Sequence, residues 1–185
     1  MKKIFLSIVG LSIMGCSDNP LPKPQGYLRL EYPIAQYETF EGDFPFTFGK
    51  NIHAVVKPKN QKGFTINYPN MKGSIYINYH RIENDLQDLL KDAQQFTYRH
   101  TKKAETIIEQ PYINPQDKVY GMFYDVGGDA ASATQFYLTD SLNNFVLGSV
   151  YFNVKPNFDS ILPASEYIKN DVRILIESIN WSSKQ

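Results

Sequence analysis

Hydrophobic and polar residues alternate in three successive segments between residues 51 and 80, which read IHAVVK, FTINYP and SIYINYH. The apolar positions that share a face are Phe64, Ile66 and Tyr68 in the second segment and Ile75, Ile77 and Tyr79 in the third. A period of two residues is typical of a strand with one buried face. Because the links 58–63 and 69–73 are short and turn-like, we predict three adjacent antiparallel strands.

The pattern then changes to a helical period. Apolar residues recur on one face at Leu86, Leu89, Leu90, Ala93 and Phe96, with polar residues on the other face. This spacing predicts an amphipathic helix that ends near Tyr98, with Asn84 and Gln87 forming a capping-box-like start. A shorter helical turn is predicted over 102–109, before Pro111 and Pro115 force a loop.

A second β block comprises KVYGMFYDV, SATQFYLTD and NFVLGSVYFNV, separated by Gly127-Gly128 and by the polar link 140–144. The last segment is apolar on both faces, so it should be a central strand covered on both sides. Pro163 is predicted to open a final helix, and Trp181 closes the domain. The apolar stripe of that helix is Ile168, Val172, Leu175, Ile176 and Ile179.

Two segments before residue 51 carry weaker patterns. YLRLEYP, from residue 27, could be an edge strand that Pro33 ends. The stretch 37–50 is dense in aromatic residues and broken by Gly42, Pro45 and Gly49, so we predict irregular chain with short extended pieces, whose rings pack onto the domain.

Together these elements predict an α+β fold, namely a mainly antiparallel β-sheet of about six strands with helices packed on its faces. The element order looks like the Mog1/PsbP architecture. That analogy is at the level of the fold and says little about function.

The amino-terminal end has the features of an export signal. Lys2 and Lys3 precede an apolar run from Ile4 to Met14, and Gly15 and Cys16 follow it. The run is too short to span a bilayer, which needs about 20 residues, but it suits a cleaved signal with a small residue at the cleavage site. We therefore predict a lipoprotein signal peptide over 1–15, although Ile13 stands where lipoprotein signals usually carry Leu.

Cys16 is the only cysteine, so it has no intrachain disulfide partner, and its position predicts acylation. The alternative is an incidental cysteine in an ordinary signal peptide. Residues 16–25 hold three prolines and predict an extended tether, followed by a single globular domain over 26–185. Removal of Lys2 and Lys3 with the signal leaves a net charge of about −2, which argues against nucleic acid as a partner.

The sequence offers no constellation for catalysis or for a cofactor. His53, His80 and His100 lack a metal-ligand spacing, and Asp125 and Asp129 around the glycine pair favour a tight hairpin turn over a calcium site. The sequence contains no nucleophile elbow, P-loop or dinucleotide fingerprint. Ser141 has no histidine near it, and Asp88 and Asp92 are expected on the exposed helix face, so we predict no metal, cofactor or catalytic residue.

Tyrosines offer a second hypothesis. Tyr76, Tyr120, Tyr124 and Tyr137 could line a groove for a glycan or a peptide, since aromatic rings serve interfaces well. The alternative, which we favour, is that helices cover both sheet faces and make these rings core.

Five parts of the sequence together are characteristic: the lipidated amino end with PKPQGYLRLEYP, FTINYP, SIYINYHRIENDLQDLLKDA, TQFYLTDS, and GSVYFNVKPNFDSILPASEYIKNDVRILIESINW. In these segments the chain resembles the GldD family of gliding-motility lipoproteins of the Bacteroidetes. Together they cover nearly all of the chain after the signal. Each segment is weak alone, but the combination is specific.

The resemblance implies an envelope lipoprotein required for gliding, with protein partners in the machinery that also serves type IX secretion and with no catalytic activity. Its acylated cysteine corresponds to Cys16, through which the chain would attach to the membrane. Surface-export signals in these bacteria carry several acidic residues after the cysteine, whereas Ser17-Asp18-Asn19 has one. This favours the periplasmic face of the outer membrane.

Overall fold

The computed structural model describes residues 31–60, 62–100, 104–154 and 158–182. Within these ranges the chain forms ten strands and two α-helices, an α+β fold as predicted. The strands are β1 (Tyr37–Glu41), β2 (Phe46–Asn51), β3 (Val55–Asn60), β4 (Gly63–Tyr68), β5 (Gly73–Arg81), β6 (Ala104–Asn114), β7 (Val119–Gly128), β8 (Thr134–Thr139), β9 (Asn144–Phe152) and β10 (Asn180–Trp181). The helices are α1 (Leu86–His100) and α2 (Phe158–Ser178), and a 3-10 turn spans Pro69–Met71.

The strands form two antiparallel sheets, and their number corrects the prediction of about six. The larger sheet has the order β3-β4-β5-β9-β8-β7-β6, and the smaller has the order β1-β2-β10. Strand β9 is the middle of the seven, as its two apolar faces predicted. Val146 and Val150 are buried on one of its faces, while on the other Phe145 is buried and Leu147 and Tyr151 are half-buried.

One core lies between the large sheet and a second layer made of α2 and the small sheet. The predicted stripe of α2 is confirmed, with Ile168 and Val172 fully buried against strand residues such as Ile75 and Phe136. The aromatic segment before residue 51 packs here as predicted, and its extended pieces are longer than predicted, because they pair as the hairpin β1–β2. Alternation of Phe46 and Phe48 with polar Thr47 turns one face of β2 toward the core.

Helix α1 lies on the opposite face of the large sheet. Four antiparallel pairings separate β5 from β6, so these two strands run parallel, and their connection must cross the sheet. Ala93 and Thr97 are buried on α1, and Tyr98 donates a hydrogen bond to Glu109 of β6. This side has its own smaller cluster around Tyr124 and Val126.

Several local predictions are wrong. Residues 104–114 form β6 and not a helical turn, and Pro111 is accommodated because β6 is an edge strand whose outward N–H needs no partner. Asn84 does not cap α1, since it takes a left-handed φ of 66° in the turn before it. The first helical hydrogen bonds go instead to the carbonyl of Asp85.

Helix α2 begins at Phe158, so Pro163 lies inside it and does not open it. Pro163 lacks the N–H that would donate a helical hydrogen bond in the second turn. Burial of the apolar stripe, from Ile168 onward, compensates for the missing bond. The residues before 31, which include the signal peptide, the tether and most of YLRLEYP, lie outside the described residues, and Glu31 to Pro33 are not in a strand. The likeness to Mog1/PsbP stays a prediction.

A buried carboxylate joins the second layer to the large sheet. Asp171 of α2 is 4% exposed and accepts hydrogen bonds from Tyr37 of β1 (2.6 Å), Asn51 of β2 (2.8 Å) and Tyr68 of β4 (2.8 Å). We call these four residues the Asp171 node. Asn51 also donates to the Tyr167 hydroxyl at 2.9 Å. Burial, followed by the charge of Asp171, raises the pKa of Tyr68 far above its usual range.

We expect Asp171→Ala to lower the free energy of unfolding by about 3 kcal/mol or more, because it leaves the buried Asn51 amide and Tyr68 hydroxyl without their acceptor. Urea unfolding of the mature chain measures this. The matched control is Asp92→Ala on the exposed face of α1, for which a change within about 0.5 kcal/mol is expected. Equal midpoints for the two variants would contradict this account.

Candidate functional site

A groove of about 620 Å³ opens where the ends of both sheets meet. Strand β5 contributes Tyr79 and Arg81, the small sheet contributes Pro45, Asn180 and Trp181 with Ser182 after it, and two hairpin turns close the sides. The β6–β7 turn supplies Gln116, Asp117 and Lys118, and the β8–β9 turn supplies Asp140, Leu142, Asn143 and Asn144. We call this set of residues the terminal groove. Its volume lies within the roughly 300–1,000 Å³ of small-molecule sites.

The β8–β9 turn is built around Asp140. Its Oδ1 accepts hydrogen bonds from the N–H groups of Leu142, Asn143 and Asn144 at 2.7–2.9 Å. Its Oδ2 accepts one from the Asn144 side chain at 2.7 Å, and the Asn144 Oδ1 in turn accepts the Tyr79 hydroxyl proton at 2.9 Å. The turn is thereby tied to β5.

The charge of Asp140 is stabilised by this turn. Burial alone would raise its pKa, but the hydrogen bonds from the backbone of Asn144, Asn143 and Leu142 outweigh that effect and lower it. Asp140 is therefore ionised near neutral pH, with both carboxylate oxygens engaged in holding the turn. Such a carboxylate suits structure and binding better than proton transfer.

Aromatic rings form the apolar part of the groove. The ring of Trp181 packs edge-on against Phe46 at 6.0 Å between centroids, and its Nε1 donates to the carbonyl of Lys118 at 3.1 Å. Tyr79 lies 6.0 Å from the same Phe46 ring. Contacts with the core residue Phe46 therefore hold both the Trp181 and the Tyr79 rings in place.

The tyrosines that sequence reasoning grouped do not form this site. Tyr124 is 3% exposed, Tyr137 is half-buried and stacked on Phe145 at 5.6 Å, and Tyr76 is exposed on β5, where its ring meets Tyr151 edge-on. Tyr120 is half-buried on β7. They share one face of the large sheet, which α1 covers in part. Burial of Tyr124 excludes it from a groove lined by all four tyrosines, whereas the exposed Tyr76 does not fit the alternative in which all four are core.

The other predicted candidates are separate from one another. His53 and His80 are exposed, and Asp88 and Asp92 lie on the exposed face of α1 as predicted. His100 is the last residue of α1. Ser141 lies in the β8–β9 turn with a left-handed φ of 67°. In the part of the chain that the structure describes, no three His, Cys, Asp or Glu side chains lie close enough together to hold a metal ion.

The glycine pair does lie at a hairpin. Gly127 and Gly128 end β7, Gly128 has a φ of 94°, and residues 129–133 connect to β8, so the hairpin is confirmed with a longer connection than a tight turn. Asp125 makes an ion pair with Lys169 of α2 at 2.9 Å. Burial lowers the pKa of Lys169, but Glu166 and Asp125 outweigh this and raise it. Asp125 thus ties α2 to β7.

Comparison with known families identifies the class of protein. A family described as gliding motility lipoprotein GldD matches residues 17–181. The chain belongs to this family. As a GldD-family chain it is a gliding-motility lipoprotein, anchored to a membrane of the cell envelope. No curated protein sequence matches it, and among the described helices none is long and apolar enough to cross a membrane.

Three of the segments that resemble GldD proteins meet at the terminal groove. SIYINYHR brings Tyr79 and Arg81, TQFYLTDS brings Asp140, and the final INW brings Asn180 and Trp181. The sequence pattern put Tyr79 on an apolar strand face and Trp181 at the close of the domain, and it did not predict the groove. The sequence feature that could have indicated the groove is Trp181. It is a weak indication, because a tryptophan at the end of a domain is as easily explained by packing as by ligand binding.

We expect Asp140→Asn to destabilise the GldD-family domain by about 1–2 kcal/mol at pH 7, because the amide cannot accept all four hydrogen bonds as an ionised carboxylate does. The folded state holds the pKa of Asp140 below its ordinary 3.8. Its contribution is therefore fully present above that pH and is lost as the pH falls through the lower folded value. The difference in the free energy of unfolding between wild type and Asp140→Asn should therefore become smaller as the pH is lowered.

Urea midpoints of wild type and Asp140→Asn at pH 7 and at about pH 2.5 measure this effect. Asp117→Asn in the neighbouring exposed turn is the matched control, and it should change the midpoint at pH 7 less than Asp140→Asn does, because among the described residues Asp117 accepts a hydrogen bond only from the Asn114 side chain. A difference for Asp140→Asn that is the same at both pH values would contradict the assigned role.

Proposed function

We propose that this lipoprotein is a non-enzymatic accessory of the gliding and type IX secretion machinery, which holds or stabilises partner proteins at the membrane. The observation that carries the proposal is the family match over residues 17–181. The chemistry of the terminal groove supports it, since the one deeply engaged carboxylate there, Asp140, holds a turn. The described domain presents binding surfaces more readily than a reaction centre.

The anchor that we propose is a lipid on Cys16, after removal of residues 1–15. Residues 16–25 would form the tether, and residues 26–185 the single domain. The path of the chain from residue 31 supports this arrangement, because Tyr32 packs on Tyr167 at 5.5 Å and Tyr37 joins the Asp171 node. We place the lipoprotein on the periplasmic side of the outer membrane, because Asp18 is the only acidic residue directly after Cys16.

The proposed anchoring predicts that Cys16→Ala yields a folded but unanchored chain, and that cells carrying it lose gliding. Membrane and soluble fractions of the envelope measure the first effect, and spreading on agar measures the second. Ser17→Ala, one residue later, is the matched control and should keep both properties. Normal gliding with a fully released Cys16→Ala protein would show that location is not what the function depends on.

The accessory role predicts that deletion of the gene abolishes gliding and lowers type IX secretion. The variants His53→Ala, His80→Ala and Asp88→Asn should leave both close to wild type, because these side chains are exposed and far apart in the fold. Affinity capture of the lipidated protein from envelope fractions, with mass spectrometry, should enrich components of the motility or secretion machinery.

Two results would count against this role. The first is capture without any such component. The second is loss of gliding in one of the exposed-site variants at normal protein level, since that would indicate a chemical role for the side chain.

The alternative is a lipoprotein that captures a glycan or a peptide through aromatic residues. It fails for the tyrosines first considered, because Tyr124 is core and Tyr137 stacks on Phe145. It is favoured by a different observation, the pair Tyr79 and Trp181 in the terminal groove.

A further inference from the structure

The terminal groove and the start of the described chain lie at opposite ends of the domain. Tyr37 pairs with Asn51 at one end of β2, whereas Pro45 precedes the other end and lines the groove. Strand β5 likewise runs from Gly73, paired with Tyr68 of the Asp171 node, to Arg81 in the groove. Nine residues at about 3.3 Å each separate these ends by roughly 30 Å.

The described chain enters the domain beside the Asp171 node, where Tyr37 donates its hydrogen bond. Residues 31–37 therefore do not line the groove at the other end, which stays open to a ligand.

The charges of the groove select a neutral ligand. Arg81 and Lys118 contribute two positive charges, and Asp117 and Asp140 contribute two negative ones. Asp140 is engaged in its turn, and Asp117 accepts a hydrogen bond from Asn114 at 2.8 Å. With the signs balanced, neither an anionic nor a cationic ligand gains a net attraction.

The exposed polar side chains that remain for a ligand are amides, which lie beside aromatic rings. Gln116, Asn143 and Asn180 are exposed, and each amide both donates and accepts hydrogen bonds. The Ser182 Oγ is buried and has no hydrogen-bond partner among the described residues. Ligand hydroxyls, which also donate and accept, match this set, and the C–H face of a pyranose ring fits against Trp181 or Tyr79.

From these observations we infer that the terminal groove is a binding site for a neutral oligosaccharide. A peptide fits less well, because main-chain recognition needs an open strand edge, and the edge that borders the groove, β10, has only two residues. Recognition here rests on side chains around two rings, as in a sugar site. The inference does not depend on the accessory role.

Binding at the terminal groove can be measured by the intrinsic fluorescence of Trp181. Trp181 is the only tryptophan in the sequence, so its fluorescence reports on the groove alone. The full lipidated chain in a detergent without a sugar headgroup would be titrated with chitotetraose and, separately, with cellotetraose. Both are neutral, but the first represents N-acetylhexosamine chains such as those of the cell wall, and the second represents glucans.

We expect a saturable change in Trp181 emission with at least one of the two saccharides, and the tighter one indicates the source of the ligand. The double variant Arg81→Ala/Asn180→Ala should raise Kd about tenfold or more, because two exposed groove side chains lose their hydrogen bonds to the saccharide. Neither substitution changes Trp181, and neither removes a buried side chain. The matched control, Arg99→Ala/Asn70→Ala, removes exposed residues outside the groove and should bind as wild type does.

Three results would overturn the inference. One is no saturable change with either saccharide up to about 10 mM, a weak limit for a specific site. Another is a change of the same size and midpoint in the Arg81→Ala/Asn180→Ala variant. The third is saturable binding of an acetylated and amidated hexapeptide of alternating Thr and Val in the absence of saccharide binding, which would assign the groove to peptides.

Discussion

The buried carboxylate of Asp171 is the constraint on which the relation between the two layers depends. A carboxylate at this depth must find hydrogen-bond donors, and it takes them from β1, β2 and β4 while it belongs to α2. Directional hydrogen bonds define the position of α2 more specifically than apolar contacts do, and the Lys169–Asp125 ion pair adds a further tie to β7. In this position the Ser178 Oγ accepts a hydrogen bond from the Gly49 N–H at 2.8 Å, and the chain continues to β10.

The groove follows from that position. Strand β10 pairs with β2 only because α2 ends beside it, and this pairing puts Trp181 against Phe46. The Asp140 turn and the Tyr79–Asn144 hydrogen bond then supply the opposite wall. The groove is thus assembled from the ends of four elements and is supported by the core, an arrangement that holds its side chains in place for a ligand.

Sequence patterns predicted the parts of the fold whose side chains follow one period. Strands β4 and β5 and the stripe of α2 were found because burial on one face leaves a regular pattern. Strand β9 was placed at the centre because both of its faces are apolar. The misses have other causes. Strand β6 has an exposed edge, so Glu105, Ile108 and Glu109 carry no alternation, and β1 is largely exposed. The groove was missed because its residues lie up to about 137 positions apart and only tertiary contacts join them.

The central seam of the large sheet is also its most distant connection along the chain. Strand β5 pairs with β9, so each of its residues meets a partner about 60 to 80 positions later. Such contacts close slowly, because the loop between them must be ordered before the pairing stabilises it. The large sheet therefore cannot be completed until β9 is available, about 60 residues after β5 along the chain.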